Sequence, residues 1–240
     1  MRPYVNITVP VLASLLLGAW GTSTSPAAKE ENEVVHGAAP TSYAIVDDNI
    51  RHDTLLIQTT FDMGDGSFVM VAGNVDPTFE GIRLYRYKAQ PDSTGEILAA
   101  SSPGYDSWTM LPTFFPITGR AGEHLVLANF GERESWGQKL IRMDTGFTDL
   151  GFLDVAYPER ITEDDTSYVK RTNIGPHSRL TMKGDTAVFT FDCDSLFLYD
   201  DMDGGLDQMV PAASVRYSWH PATGLMIWRD GRQRPVKPLS

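Results

Sequence analysis

The chain has 240 residues and a single cysteine, Cys193. No internal disulfide can form, so an apolar core must hold the fold together. The thiol sits in the run FDCDS and reads as a small apolar filler at a strand end. Its neighbours Asp192 and Asp194 disfavour the thiolate, which argues against a nucleophile. Basic residues are also scarce. Lys and Arg number 20 against 31 carboxylates, a net charge of −11. That balance argues against nucleic acid as a partner, because such binding depends on neutralising phosphates. No segment carries a sustained 3.6-residue apolar period with caps, so helix should be minor. Catalytic signatures are missing as well. There is no Gly-x-Ser-x-Gly elbow and no His-Glu-x-x-His, and the five histidines (His36, His52, His124, His177 and His220) are scattered. The run GDG at Gly64–Gly66 has no following Lys and no helix to cradle a phosphate.

The one long apolar run is Val9–Trp20, behind Arg2 and too short to span a bilayer. A charged start, a short apolar stretch and small residues describe a secretory signal. Leu17-Gly18-Ala19 followed by a Ser/Thr/Pro tether resembles the signal of bacterial lipoproteins, except that Trp20 stands where the lipid-modified cysteine would be. Without that thiol no lipid can be attached, so the reading is a signal cut near Gly21 or Ala27, with relatives expected to be anchored. The expected organisation is a degenerate lipoprotein-like signal over 1–28, a linker over 29–41 and one domain over 42–240. The protein is expected in the periplasm or secreted, with no transmembrane span after signal removal.

From Tyr43 onward the apolar runs are short and rich in β-branched and aromatic residues, with turn residues between them. Strands are expected near Tyr43–Val46, Thr54–Phe61, Phe68–Gly73, Ile82–Lys88, Glu96–Ala100, Thr109–Thr118, His124–Phe130 and Lys139–Asp144. More are expected near Phe147–Asp154, Ser167–Thr172, Arg179–Lys183, Ala187–Phe191, Leu196–Tyr199, Ser214–Trp219 and Leu225–Trp228. A repeat underlies them. Gly66, Gly122 and Gly184 each precede an apolar run, and Leu84, Leu140 and Leu196 recur every 56 residues. Val71 to Leu84 and Leu127 to Leu140 are both 13 residues apart, whereas Phe189 to Leu196 is 7, an indel placed in a loop. A fourth, partial unit has Gly224 in the turn position. Four-stranded units resemble β-propeller blades, so the expected fold is all-β and propeller-like with about four blades. The alternative is a β-sandwich or an open stack of β-hairpins.

If the units are blades, four loops share one face: Asn74–Gly81, Ser101–Trp108, Asn129–Gly137 and Ala156–Asn173. They carry Phe79, Glu80, Tyr105, Trp108, Arg133, Trp136 and Tyr168, which are the candidate binding residues. Aromatics mixed with Arg and carboxylates suit recognition, offering large contact area beside directional polar groups. The Asp-rich run near Asp192–Asp207 offers hard oxygen donors and glycine turns that suit Ca²⁺, with Asp200, Asp201, Asp203 and Asp207 as candidate ligands. DMDGGLDQMV loosely resembles the calcium loops of some propeller repeats but is shorter. It also fails the EF-hand pattern, with Leu206 at the glycine position. The plainer reading is turn formation, with no cofactor.

Two functions follow. The first is an exported, non-catalytic binding protein of the bacterial envelope, an inhibitor or immunity factor included, that recognises a protein or envelope component through one loop face. The second is an envelope carbohydrate hydrolase using Asp164–Asp165, or Asp76 with Glu80, as paired carboxylates.

Overall fold

The computed structural model describes residues 37–47, 50, 53–76, 81–104, 107–199 and 207–236. These residues are all-β apart from two single 3-10 turns at Gly175–His177 and Ala212–Ser214. Four antiparallel sheets form. The first is a meander of β1 (Ala44–Val46), β2 (Leu55–Asp62), β3 (Phe68–Asn74), β4 (Arg83–Ala89) and β5 (Gly95–Ala100). The second is a meander of β6 (Met110–Pro116), β7 (His124–Phe130), β8 (Gly137–Met143) and β9 (Phe147–Leu153). The third contains β10 (Val155–Glu163), β11 (Thr166–Thr172), β14 (Ser195–Tyr199) and β15 (Asp207–Pro211), in the order β11-β10-β14-β15. The fourth contains β12 (Ser178–Lys183), β13 (Thr186–Phe191), β16 (Val215–His220), β17 (Gly224–Arg229) and β18 (Arg232–Pro235), in the order β12-β13-β16-β17-β18.

The repeat is real in the first two sheets. Val71 lies across from Leu84, and Leu127 lies across from Leu140, so the shared spacing is one strand register used twice. Gly66, Gly122 and Gly184 all take positive φ in the turns before β3, β7 and β13. The third unit departs from the expectation. Leu196 pairs with Val210, and Phe189 pairs with Tyr217, so the two strands expected to form one hairpin belong to different sheets. The short connection explains this. The Asp192 N–H still donates to the His177 carbonyl at 2.7 Å, and its carboxylate takes Arg179 at 2.6 Å. The chain therefore stays bonded on the β12 side to the end of β13. The bend at Cys193 and Asp194 then sends β14 to the neighbouring sheet, and β16 fills the vacated place.

Packing follows from period two. Every residue of β7 is buried, because both faces of the second sheet are covered. Leu125 and Leu127 join a core shared with the third and fourth sheets, including Leu196, Phe189 and Ile227. Val126, Ala128 and Phe130 join a different core, shared with Val69, Val71 and Leu84 of the first sheet. The far face of the first sheet has its own small core, where Ile50 and Leu55 cover Met70, Ala72 and Tyr87. Among the described residues the cores run in a row and no closed propeller ring forms. The arrangement is consistent with a sandwich-like stack.

Inside the stretch read as linker, Ala38 bridges Leu180 and Thr41 bridges Phe114. Three strands went unpredicted: β10, β15 and β18.

Candidate functional site

Three of the four expected loops meet at one end of the sheets. The Gly104 N–H donates to the Ile82 carbonyl at 2.6 Å, tying the β5–β6 connection to the start of β4. The contact is close enough that a Cβ on Gly81 would sit 2.6 Å from the Gly104 carbonyl oxygen. The Gly131 N–H donates to Ser107 Oγ at 3.2 Å, and Thr109 Oγ1 donates back to the Gly131 carbonyl at 2.7 Å. This pair fastens the β5–β6 connection to the β7–β8 turn. Lys139, on β8, reaches Asp149 at 2.8 Å, Ser102 Oγ at 2.7 Å and the Pro103 carbonyl at 3.2 Å. Beneath the turn, Asn129 Oδ1 accepts from Ser135 Oγ at 2.6 Å and from Gln138 Nε2 at 2.7 Å, all three residues being buried. Buried polar groups paired in this way fix one loop conformation.

The fourth expected loop is not a loop. Residues 156–173 form most of the β10–β11 hairpin, with Asp164 at φ 52° in a two-residue turn. The signal was present in the sequence as two β-branched runs flanking Asp164-Asp165. The hairpin still reaches the rim through Arg171. Its Nε donates to the Ser135 carbonyl at 2.9 Å, and the Ser135 N–H donates to the Arg171 carbonyl at 2.9 Å. The same guanidinium takes Asp154 at 2.9 Å and Asp207 at 2.6 Å. Arg171, Lys139, Asn129 and Gln138 were not singled out from sequence, because a fastening side chain looks like any other polar residue until its partners are placed.

Three aromatic candidates among the described residues stand in solvent. Trp108 is 74% exposed, Trp136 45% and Tyr168 42%. Trp136 flanks Gly131, the residue bonded to both neighbours of Trp108, so the two tryptophans border one junction. Partial desolvation, then the charge of Glu163 and the hydrogen bond that the Tyr168 hydroxyl donates to it at 3.2 Å, and last the charge of Glu134, hold the Tyr168 phenol above its ordinary value. Arg133, in the same turn as Trp136, is exposed. Phe79, Glu80 and Tyr105 lie outside the described residues, as do Asp200, Asp201 and Asp203. Asp207, the remaining calcium candidate, is the carboxylate bonded to Arg171. Asp164 and Asp165 occupy the exposed hairpin tip, and Asp76 is held in a turn by its N–H to Asn74 Oδ1.

Two further clusters lie elsewhere. At the opposite end, Tyr43 and His124 line an open cleft of about 530 Å³ together with Asp65, Arg120 and Glu123. A second cleft of about 420 Å³ brings Cys193 near His177, which stacks on Tyr157 with ring centroids 4.1 Å apart. Burial, then Asp192 and Asp194, push the Cys193 thiol up to about 11, and its Sγ points to the Ser195 carbonyl at 3.3 Å. A thiol so placed is a poor nucleophile near neutrality. Comparison with protein-family models, with curated proteins and with solved structures gives no significant match.

Proposed function

We propose that this chain is an exported, non-catalytic binding protein of the bacterial envelope, which recognises a protein or envelope component through the loop rim. One observation carries the reading: Trp108 is 74% exposed while the residues on either side of it, Ser107 and Thr109, are fastened to the Gly131 backbone through their hydroxyls. A mobile surface Trp would pay side-chain and backbone entropy on binding, whereas a fastened one has little ordering left to lose. Trp136, Tyr168 and Arg133 extend the same surface, and Trp, Tyr and Arg are the residues enriched where binding energy concentrates. Loops of the first two sheets, with Arg171 of the third bonded to them, make up this rim. Export rests on the pattern of residues 1–28.

The test pairs stability with binding. Trp108→Ala and Trp136→Ala should melt within a few degrees of the parent chain and lose capture of the component that the parent retains from envelope extract. Unfolding of either variant would place that Trp in the core, and undiminished capture by both would put the binding surface elsewhere.

A further inference from the structure

Each of the four sheets has two edge strands, and an edge strand offers unpaired N–H and C=O groups to another chain. Most of these edges are blunted. β6 and β12 are each covered at one point by the N-terminal segment, through Thr41 and Ala38. β5 and β9 lie beside register shifts, at Arg86/Tyr87 and Leu140/Ile141. β1 has three residues. β15 ends in Pro211, and the four-residue β18 carries Arg232, Arg234 and Pro235. β11 is held at its far end, where the Arg171 carbonyl accepts from the Ser135 N–H, but among the described residues its stretch Ser167–Val169 meets none of these devices. The strand is seven residues long, pairs with β10 without a shift, and exposes Tyr168 and Val169.

The direction of its backbone groups is fixed by its neighbours. The Arg171 carbonyl points away from β10, since it accepts from the Ser135 N–H. Its partner across the ladder is Pro158, which has no N–H to give. Backbone direction alternates along a strand, so Val169 and Ser167 also present N–H and C=O outward. Beyond Ala156, β10 has no ladder partner on its other side among the described residues, so the hairpin stands out as a two-stranded arm. The β10 edge of that arm is interrupted by Pro158, which leaves the β11 edge. A two-stranded ribbon in water is marginal, and a third strand stabilises it.

Charge selects the occupant. The arm carries the exposed carboxylates Glu159, Glu163, Asp164 and Asp165, and the charge of Glu134 reaches its Tyr168, against Arg160 and Lys170. We propose that the arm accepts an extended, Lys-bearing segment of a partner protein as a third strand on β11, next to Tyr168 and Trp136. This deepens the binding reading above and rests on it. Main-chain hydrogen bonds to Val169 and Ser167 would supply affinity, and the surrounding carboxylates would choose basic over acidic segments.

The probe is a capped peptide of alternating Lys and Val, compared with the same peptide carrying Glu in place of Lys. The decisive variant is Val169→Pro. It removes one outward N–H and leaves the β10 ladder intact, because the Val169 N–H is not in that ladder. The Lys peptide should bind and slow hydrogen exchange at the Val169 and Ser167 amides, and the Glu peptide should not. Val169→Pro should weaken Lys-peptide binding about tenfold with little change in melting temperature, the cost of losing a main-chain bond. Several results would overturn the proposal: no binding, equal binding of both peptides, or binding by the variant within a factor of two. A concentration-dependent dimer abolished by Val169→Pro would instead assign the edge to a second copy of the chain. Normal strand addition in Trp108→Ala and Trp136→Ala chains that capture as well as the parent would sink the rim reading alone.

Discussion

The Tyr43 hydroxyl lies 2.5 Å from Nε2 of His124. Nδ1 of the same ring faces the Gly122 carbonyl at 3.3 Å, so the neutral ring carries its proton on Nδ1 and accepts from Tyr43 at Nε2. The bond ties the segment ahead of β1 to the first residue of β7. Burial is the main cause that holds His124 below its ordinary value of 6.5, and Arg86 adds to it against the opposing pull of Gly122 and Asp65. A group with a depressed folded pKa binds its proton more readily when unfolded. Its stabilisation is therefore present above the unfolded pKa and is lost as pH falls through the folded one. The melting temperature should drop between pH 7.5 and 5, and His124→Gln should flatten that part of the curve. An unchanged slope in the variant would show that another group governs it.

Arg171 is the second test. Its guanidinium serves Ser135, Asp154 and Asp207 at once, and it is 15% exposed. Arg171→Ala should cost about 1–3 kcal/mol, less than a fully buried pair because Asp207 is open to solvent. Arg171→Lys should recover only part of this, since an ammonium cannot span three acceptors held in a planar fork. Urea denaturation of the three chains gives the order; full rescue by Lys would reduce the contribution of Arg171 to charge alone.

Strand content and the first two meanders were legible because alternation and the glycine turns act locally. The pairing of Val71 with Leu84 could be read from spacing, since a hairpin register is set by its own loop. The destination of β14 could not. The three residues from Asp192 to Asp194 could close a hairpin or cross between sheets, and the choice depends on His177 and Arg179, which are close only once β12 and β13 have paired. Whether the sheets close into a ring was not legible for a related reason. A blade-like meander specifies one sheet, while the faces it packs against depend on every other sheet. At the rim, exposed Trp108 and Trp136 were legible as unpaired aromatics in loops, but the Arg171 fastening needed a contact over 36 residues of sequence.

The second sheet should be the most sensitive part of the fold. Leu127 is fully buried where three sheets meet, whereas Leu98 on β5 is 41% exposed. Leu127→Ala should cost about 2–5 kcal/mol through lost burial and a cavity. Leu98→Ala should stay within about 0.5 kcal/mol of the parent, as for other surface changes. Chemical denaturation that found the two costs alike would contradict the central position of β7.

The turn that presents Trp136 depends on Gly131. Its φ is 120°, a value that side-chain-bearing residues rarely adopt, and a Cβ there would lie 1.9 Å from the Glu134 carbonyl oxygen. Backbone cannot yield as a flexible side chain can. Gly131→Ala should therefore open the turn closed by the Trp136 N–H to the Phe130 carbonyl, 2.8 Å in the parent. It should also loosen the bonds to Ser107 and Thr109 that hold Trp108. Gly66 is the control, since it has φ 81° but nothing within 4 Å of its added Cβ. Gly66→Ala should cost about 1–2 kcal/mol, the strain of a left-handed residue alone. Gly131→Ala should cost more than that, and it alone should shift the fluorescence of the exposed tryptophans. Equal costs with unchanged emission would mean that the turn adapts to a Cβ, and that the rim is not held by Gly131.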